Sequence, residues 1–469
     1  MTNLLISISP LLLALALIVS RRTSITNAGL IGAATSLLLA WVNIEFTEVF
    51  FVLTRGLWIA WLAVSIIMSG LIFQRLALIA TPNAFIPPEG SSDERKQAFT
   101  AIFLLGVFVE SASGFGLGAV AAVSVLQARG IASARLAALA LLSLALVPWG
   151  ALAIGTTIAA ELTGTPRSII GVESAILSVP ILGIALLLFW IWVPGPLSLK
   201  AMFREAGTIA ALLALLWAAN FAGFVDIAGI LAAGAVFAFS AAHDRLRGQT
   251  PINAGIFGVF ALFIVAIRVI PGITDTLRGL WLIEYDKGLP AFAPLAHPSI
   301  WLLVFGFGFA CFKGVPIQKV MHTSKSALTA AYVPVAVTIG FVVLGQGMSA
   351  LGAQEAAVSV LINITGSGSA YFAPIFAAIA GWLTGSNAAA HGMLAEFQAA
   401  LGAASGGNAV HAVAIQNVVA SAYTMLSPMR IALVATALSL VGKETEILRL
   451  LRPFGVAVLA IAWIATALT

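Results

Sequence analysis

Apolar runs separated by short polar clusters follow one another from one end of the chain to the other. They predict membrane-spanning helices over residues 4–20, 27–44, 50–74, 136–158, 171–193, 207–222, 224–241, 251–271, 299–312, 327–347, 408–434 and 453–468. The runs are apolar on every face and longer than the roughly ten alternating residues of a barrel strand, which argues against a β-barrel. Residues 98–128 and 370–404 have a different pattern. Each is two short apolar pieces split by Gly, Ser or Asn, and each reads as a re-entrant hairpin. The predicted architecture is all-α and polytopic, with about twelve spans and two hairpins.

Composition agrees with the pattern. Of the 469 residues 61% are hydrophobic and 9% charged, where soluble domains carry about a quarter charged residues. A net charge of +5 would suggest nucleic acid in a soluble protein; here it follows from Lys and Arg in cytoplasmic loops. The apolar stretch that ends at Ser20 is followed, not preceded, by Arg21-Arg22, the reverse of a secretory leader. It reads as a retained first helix with its N-terminus outside. Arg21, Arg22, Arg75, Arg95, Lys96, Lys313, Lys319 and Lys325 then fall in cytoplasmic loops, while Glu45, Glu48, Glu161, Glu173 and Asp275 fall outside. Pro82 to Lys96 is the one clear polar linker. The single cysteine, Cys311, excludes an intramolecular disulfide or thiolate cluster.

Against this apolar background one carboxylate is out of place. Glu110 lies in an uncharged stretch, Phe103 to Gly118, immediately before a glycine-rich break. An intramembrane carboxylate faces a protein interior or a wet cavity and marks a functional site by default. Ser111, Ser113 and the amides of Gly114, Phe115 and Gly116 would form a donor-rich tip at the N-terminus of a half-helix, a ready anion site. Glu110 has two readings: a proton carrier, or a structural group that caps the half-helix or pairs with a buried cation. The second tip, Thr384-Gly385-Ser386-Asn387, supplies similar amides, with Ser386 or Asn387 as the helix N-cap. His391 lies one turn beyond Asn387 and is either a packing residue or a group that binds the anion or a proton.

The last interrupted helix holds Asn417, Ser421, Ser427 and Arg430. Apolar or weakly polar residues from Ile431 to Val441 place Arg430 roughly 16 Å along the helix from Gly442-Lys443. Arg430 therefore faces inward and needs an anion partner, for which a substrate carboxylate, Glu396 and Glu110 are the candidates. Breaks at Val147-Pro148-Trp149-Gly150 and Leu426-Ser427-Pro428-Met429, each following a hairpin, suggest an inverted repeat with halves at residues 1–230 and 231–469. No phosphate-binding Gly-Lys-Ser/Thr loop, His-Glu-x-x-His or Cys-x-x-Cys occurs, and the five histidines are scattered. ATP-driven transport, zinc chemistry and enzyme catalysis are not expected, and no cofactor is.

These residues resemble the bacterial lactate permease family over nearly the whole chain. Glu110-Ser111-Ala112-Ser113-Gly114-Phe115-Gly116 is similar to that family's Glu-Gly-Ala-Ala-Gly-Phe-Gly. Gly385-Ser386-Asn387 and Leu426-Ser427-Pro428, with Gly442-Lys443-Glu444, resemble its later signatures. Departures fall at Ala388, His391 and Met429-Arg430. The resemblance implies proton-linked transport of lactate, glycolate or another 2-hydroxy monocarboxylate across the bacterial cytoplasmic membrane, with paired broken helices and elevator-like motion. The departures admit a different small carboxylate or an organosulfonate. Sodium coupling, an anion channel, a subunit of a proton-translocating complex and a homodimeric assembly also remain open.

Overall fold

A computed structural model describes residues 2–20, 22–82, 84–85, 94–127, 133–193, 197–247, 250–285 and 289–468. The described chain is helical almost throughout; its one β-bridge joins Ile283 and Phe292. Helices α1 (Thr2–Val19), α2 (Ile25–Asn43) and α3 (Phe46–Ala80) come first. The first hairpin is α4 (Glu94–Phe99), a π-helical segment Thr100–Gly106, α5 (Val107–Ser113) and, after the turn, α6 (Leu117–Gln127). Helices α7 (Ala134–Leu141), α8 (Gly150–Thr163), α9 (Arg167–Trp192), α10 (Leu199–Phe221), α11 (Ala228–Leu246), α12 (Ile256–Val269), α13 (Ile273–Leu280) and α14 (Pro298–Phe312) follow. Then come α15 (Ile317–Ala350) and α16 (Ala353–Thr365), the second hairpin of α17 (Ala373–Thr384) and α18 (Asn387–Ala404), the interrupted pair α19 (Ala409–Thr424) and α20 (Pro428–Ala437), and α21 (Glu444–Ala467).

Eight of these stretches are long and apolar enough to cross a membrane, and up to 11 if each bent pair is one span, among the described residues. Leu12, Leu38, Phe50, Ile176, Leu187 and Leu262 stay exposed on helix faces, as they would where lipid replaces water as solvent. The protein is a polytopic helical membrane protein. Three details differ from the sequence pattern. Helix α3 extends four residues earlier and six later than the apolar run 50–74, so Arg75 is helical and not in a loop. Helix α16 and the start of the 3₁₀ segment Gly366–Phe372 occupy a stretch for which no element was expected; the rest of that segment begins the expected hairpin. Of the polar linker, residues 83 and 86–93 lie outside the described residues, and Glu94 to Lys96 begin α4.

Both predicted hairpins fold back on themselves. Helix α6 returns along the π segment and α5, and α17 packs on α18. The arms of the first hairpin touch through backbone: a Cβ on Gly118 would overlap the Gly106 carbonyl. Residues Ala101 to Gly114 are all buried, in a core where Phe99 and Phe103 pack edge-on against Phe189. The irregular backbone of this hairpin is thereby enclosed by protein, the condition under which such backbone is tolerated in a membrane protein. The base of this hairpin is fixed to its neighbours. Arg95 grips buried Glu205 of α10 through two hydrogen bonds (3.1 and 3.2 Å), Trp190 of α9 donates to the same carboxylate (2.7 Å), and Lys96 pairs with Asp244 of α11. A second group forms around α15, which runs along α3 and α2, with α14 against α3.

Candidate functional site

The first tip turns through three successive left-handed residues, Gly114 (φ 73°), Phe115 (φ 59°) and Gly116 (φ 86°). That reversal points the opening amides of α6 back at Glu110. Gly116 N–H donates to both carboxylate oxygens (3.1 and 3.0 Å), and Gly118 N–H donates to Oε2 (3.1 Å). The residue is 3% exposed. Glu110 thus caps the half-helix that follows it, where the helix dipole favours negative charge. Ser113 turns inward along its own helix and donates to Val109 O (2.9 Å).

The second tip is built differently. Gly385 ends α17 in the left-handed region (φ 60°), and Ser386 takes the N-cap of α18, accepting from Ala389 N–H (3.4 Å). Asn387 therefore begins the helix and its side chain is free for other use. It donates to Asn417 Oδ1 (2.8 Å), which also receives His391 Nε2 (3.1 Å). Asn417 Nδ2 donates to Thr156 Oγ1 (3.0 Å) and Ser174 Oγ (2.9 Å), and Thr156 donates to Pro148 O at the first interrupted helix (2.9 Å). An oxygen acceptor requires the imidazole hydrogen on Nε2. His391 Nδ1 is left as a buried acceptor without a partner.

Arg430 joins the two tips. Its Nη1 lies 3.9 Å from Glu110 Oε1, and its Nε donates to Gly385 O (3.4 Å), a carbonyl freed by the end of α17. Ser427 caps α20 by accepting from Arg430 N–H (3.3 Å), so the cap and the guanidinium belong to one turn. Of the anion partners open in the sequence, Glu110 is therefore the one that Arg430 meets in the protein. Glu396 instead accepts from Gln346 (3.3 Å to each oxygen) and Gln354 (3.5 Å).

The tips also meet the helix interruptions. A Cβ on Gly114 would strike Ala151, and Gly150 lies against Glu110; Gly385 lies against Ser427 and Met429. The first interruption runs further than the Pro148 motif suggests. Ala151, Leu152 and Ala153 all have positive φ (49°, 56° and 54°), a left-handed turn that costs L-residues roughly 1–2 kcal/mol each.

Beside Arg430 lies a cavity of about 610 Å³. Phe115 reaches it from the first tip, Thr384, Gly385 and Ser386 from the second, and Met429 and Leu433 from α20. Leu71 and Arg75 of α3 and Val333 and Pro334 of α15 form the facing wall. The structure thus gathers Glu110, Gly114, Phe115, Gly116, Gly385, Ser386, Ser427 and Arg430 around one region. Asn387 and His391 are set apart from it, in the Asn417 cluster. Arg75 and the Thr156–Ser174 partners of Asn417 were not singled out as site residues from the sequence. Hydroxyls within apolar helices are common, and only their convergence distinguishes these.

Residues 295–469, which include the second hairpin and the interrupted helix bearing Arg430, match the family model described as L-lactate permease. The L-lactate permease of Salmonella typhimurium is 24% identical over 456 residues, covering 84% of this chain and 81% of the relative. The chain resembles the lactate permease family.

Proposed function

We propose that the protein is a secondary active transporter that carries L-lactate, glycolate or a related 2-hydroxy monocarboxylate together with a proton across the bacterial inner membrane. The observation that carries this reading is the position of Arg430, at the cavity and 3.9 Å from a second, buried carboxylate. A guanidinium presents a planar fork of donors suited to a carboxylate. Its single charge balances one anion. A substrate carboxylate arriving while Glu110 is ionised would leave net negative charge in a desolvated site, which is costly. Uptake of one proton by Glu110 removes that excess and releases the amides of Gly116 and Gly118. Substrate and proton then bind as a unit. His391 is the weaker carrier, because its contacts include no carboxylate to stabilise an imidazolium.

The packing of each tip on the interruption of its own half supports an inverted repeat with halves near 1–230 and 231–469. The α3–α15 wall fits the static part of an elevator-like carrier, with the hairpins and α7–α11 as the moving part. Arg75 lines the cavity and bonds Ser326, the neighbour of Lys325 on α15, and the distribution of positive charge makes that end the cytoplasmic one.

The test is thermal stabilisation of the purified protein by L-lactate, glycolate, short dicarboxylates and sulfonates at two pH values, with and without sodium, followed by uptake into proteoliposomes under a pH gradient. Stabilisation by a 2-hydroxy acid that weakens as pH rises, and uptake driven by an acidic exterior, are expected. Stabilisation that requires sodium and ignores pH would replace the proton as coupling ion. A response to sulfonates alone would replace the substrate.

A further inference from the structure

We infer that Arg75 forms a second anion station, at the outer part of the same cavity, which receives the substrate carboxylate as it leaves Arg430. The inference rests on the transport reading above. Arg75 lines the cavity from α3, on the wall facing the hairpin tips. It is half-buried, and its Nη1 donates to a neutral hydroxyl, Ser326 Oγ of α15. Among the described residues it has no carboxylate partner. Four other half-buried or buried cations do: Arg95 has Glu205, Lys96 has Asp244, Arg268 has Asp226 and Arg430 has Glu110. A guanidinium left with only a hydroxyl retains most of its capacity to bind an anion.

The surfaces around the two arginines explain the need. Leu71, Phe115, Val333, Val337 and Leu433 line the cavity with apolar side chains. An anion detaching from Arg430 crosses that surface before it meets bulk water, and a second cation on its route raises its local concentration and lowers the barrier to departure. At about 610 Å³ the cavity far exceeds what a lactate-sized acid fills, since a single water occupies about 30 Å³. Such a substrate is held at one arginine and then at the other. The stations also lie on different helix groups, Arg430 on α20 and Arg75 on the α3–α15 pair, so the transfer moves the anion from the hairpin-bearing helices to the facing wall.

The experiment compares wild type, Arg75→Gln, Arg75→Lys and Arg430→Met in proteoliposomes and in detergent, with radiolabelled L-lactate as probe. Arg75→Gln should leave the equilibrium Kd within about twofold of wild type while slowing efflux through the Arg75 end roughly tenfold or more. Arg75→Lys, which keeps the charge, should restore most of the rate, and Arg430→Met should instead weaken Kd. An unchanged efflux rate in Arg75→Gln would overturn the inference and leave Arg75 as an interfacial residue. A loss of affinity equal to that of Arg430→Met, with dicarboxylates preferred over L-lactate, would also overturn it, since both arginines would then hold one dianion. If wild type neither binds nor transports L-lactate, the transport reading itself fails, and that result is distinct from the other two.

Discussion

Replacing Glu110 by Gln tests the core of the proposed mechanism because it removes a charge while keeping the shape. The carboxylate lies 3.9 Å from the Arg430 guanidinium, a separation worth about 4 kcal/mol at an effective dielectric constant of roughly 20. Removing one member of a buried pair strands the other, at a cost of roughly 3–5 kcal/mol. In Glu110→Gln that penalty falls on the substrate-free protein, and an incoming carboxylate relieves it. The Gln carbonyl can still accept from Gly116 N–H or Gly118 N–H, so the tip retains part of its cap. We therefore expect substrate affinity near neutral pH to rise by about 1–3 kcal/mol, roughly 5- to 150-fold. In wild type, affinity should fall as pH rises, because the proposed anion binds together with a proton. In the variant it should not change with pH. Calorimetric titration across pH 5–8 measures both slopes, and proteoliposomes separate the consequences: counterflow exchange persists, whereas accumulation driven by a pH gradient disappears. Weaker binding with an unaltered pH slope, or equal loss of counterflow and accumulation in a folded variant, would refute the reasoning and leave Glu110 as a helix cap alone.

Four further outcomes are expected. Arg430→Met should weaken substrate binding at least tenfold, by isothermal titration, with the variant still monodisperse in detergent; unchanged affinity would place Arg430 in the scaffold. Gly116→Ala introduces a Cβ 2.5 Å from Arg430 Nη1 at a residue with φ 86°, and should reduce transport by displacing the guanidinium. Asn417→Leu breaks the contacts to Asn387, His391, Thr156 and Ser174, and should destabilise the protein by roughly 2–4 kcal/mol in thermal unfolding, because several buried polar groups lose a partner together. His297 precedes α14, and burial, aided by Arg268, lowers its pKa from 6.5 to about 3. Between those values the unfolded chain takes up a proton that the folded protein does not, so stability falls as pH drops below about 6.5. Replacing it in His297→Asn should flatten that part of the melting-temperature profile.

Glu110 and both chain breaks were legible because a lone charge and clustered glycines are rare inside apolar helices. The hairpins followed from the same signal. Which anion Arg430 meets was not legible, since Glu110 and Glu396 are both isolated carboxylates and the sequence holds no distance between them and Arg430. Only the meeting of the two tips in the fold brings Glu110 within reach. Arg75 read as a loop residue because hydropathy falls at Gln74, yet α3 continues past it to Ala80. The Asn387–His391–Asn417 cluster was misleading in another way. Asn387 and His391 share a helix face with the correct spacing for a ligand site, but that face turns toward Asn417 on α19 and not toward the cavity. Periodicity shows which residues lie together and not what they face.

The reach of Arg430 to both tips has a consequence for leakage. A carrier dissipates its gradient if it is ever open to both sides at once. Withdrawing the first tip would take Glu110 away from this side chain, and withdrawing the second would take the Gly385 carbonyl. Doing both leaves the guanidinium without either partner. At a penalty of even 3 kcal/mol such a doubly open form would be populated roughly 150-fold less than a closed one. In the proposed carrier one residue would thereby act as an interlock against short circuit, without any separate latch.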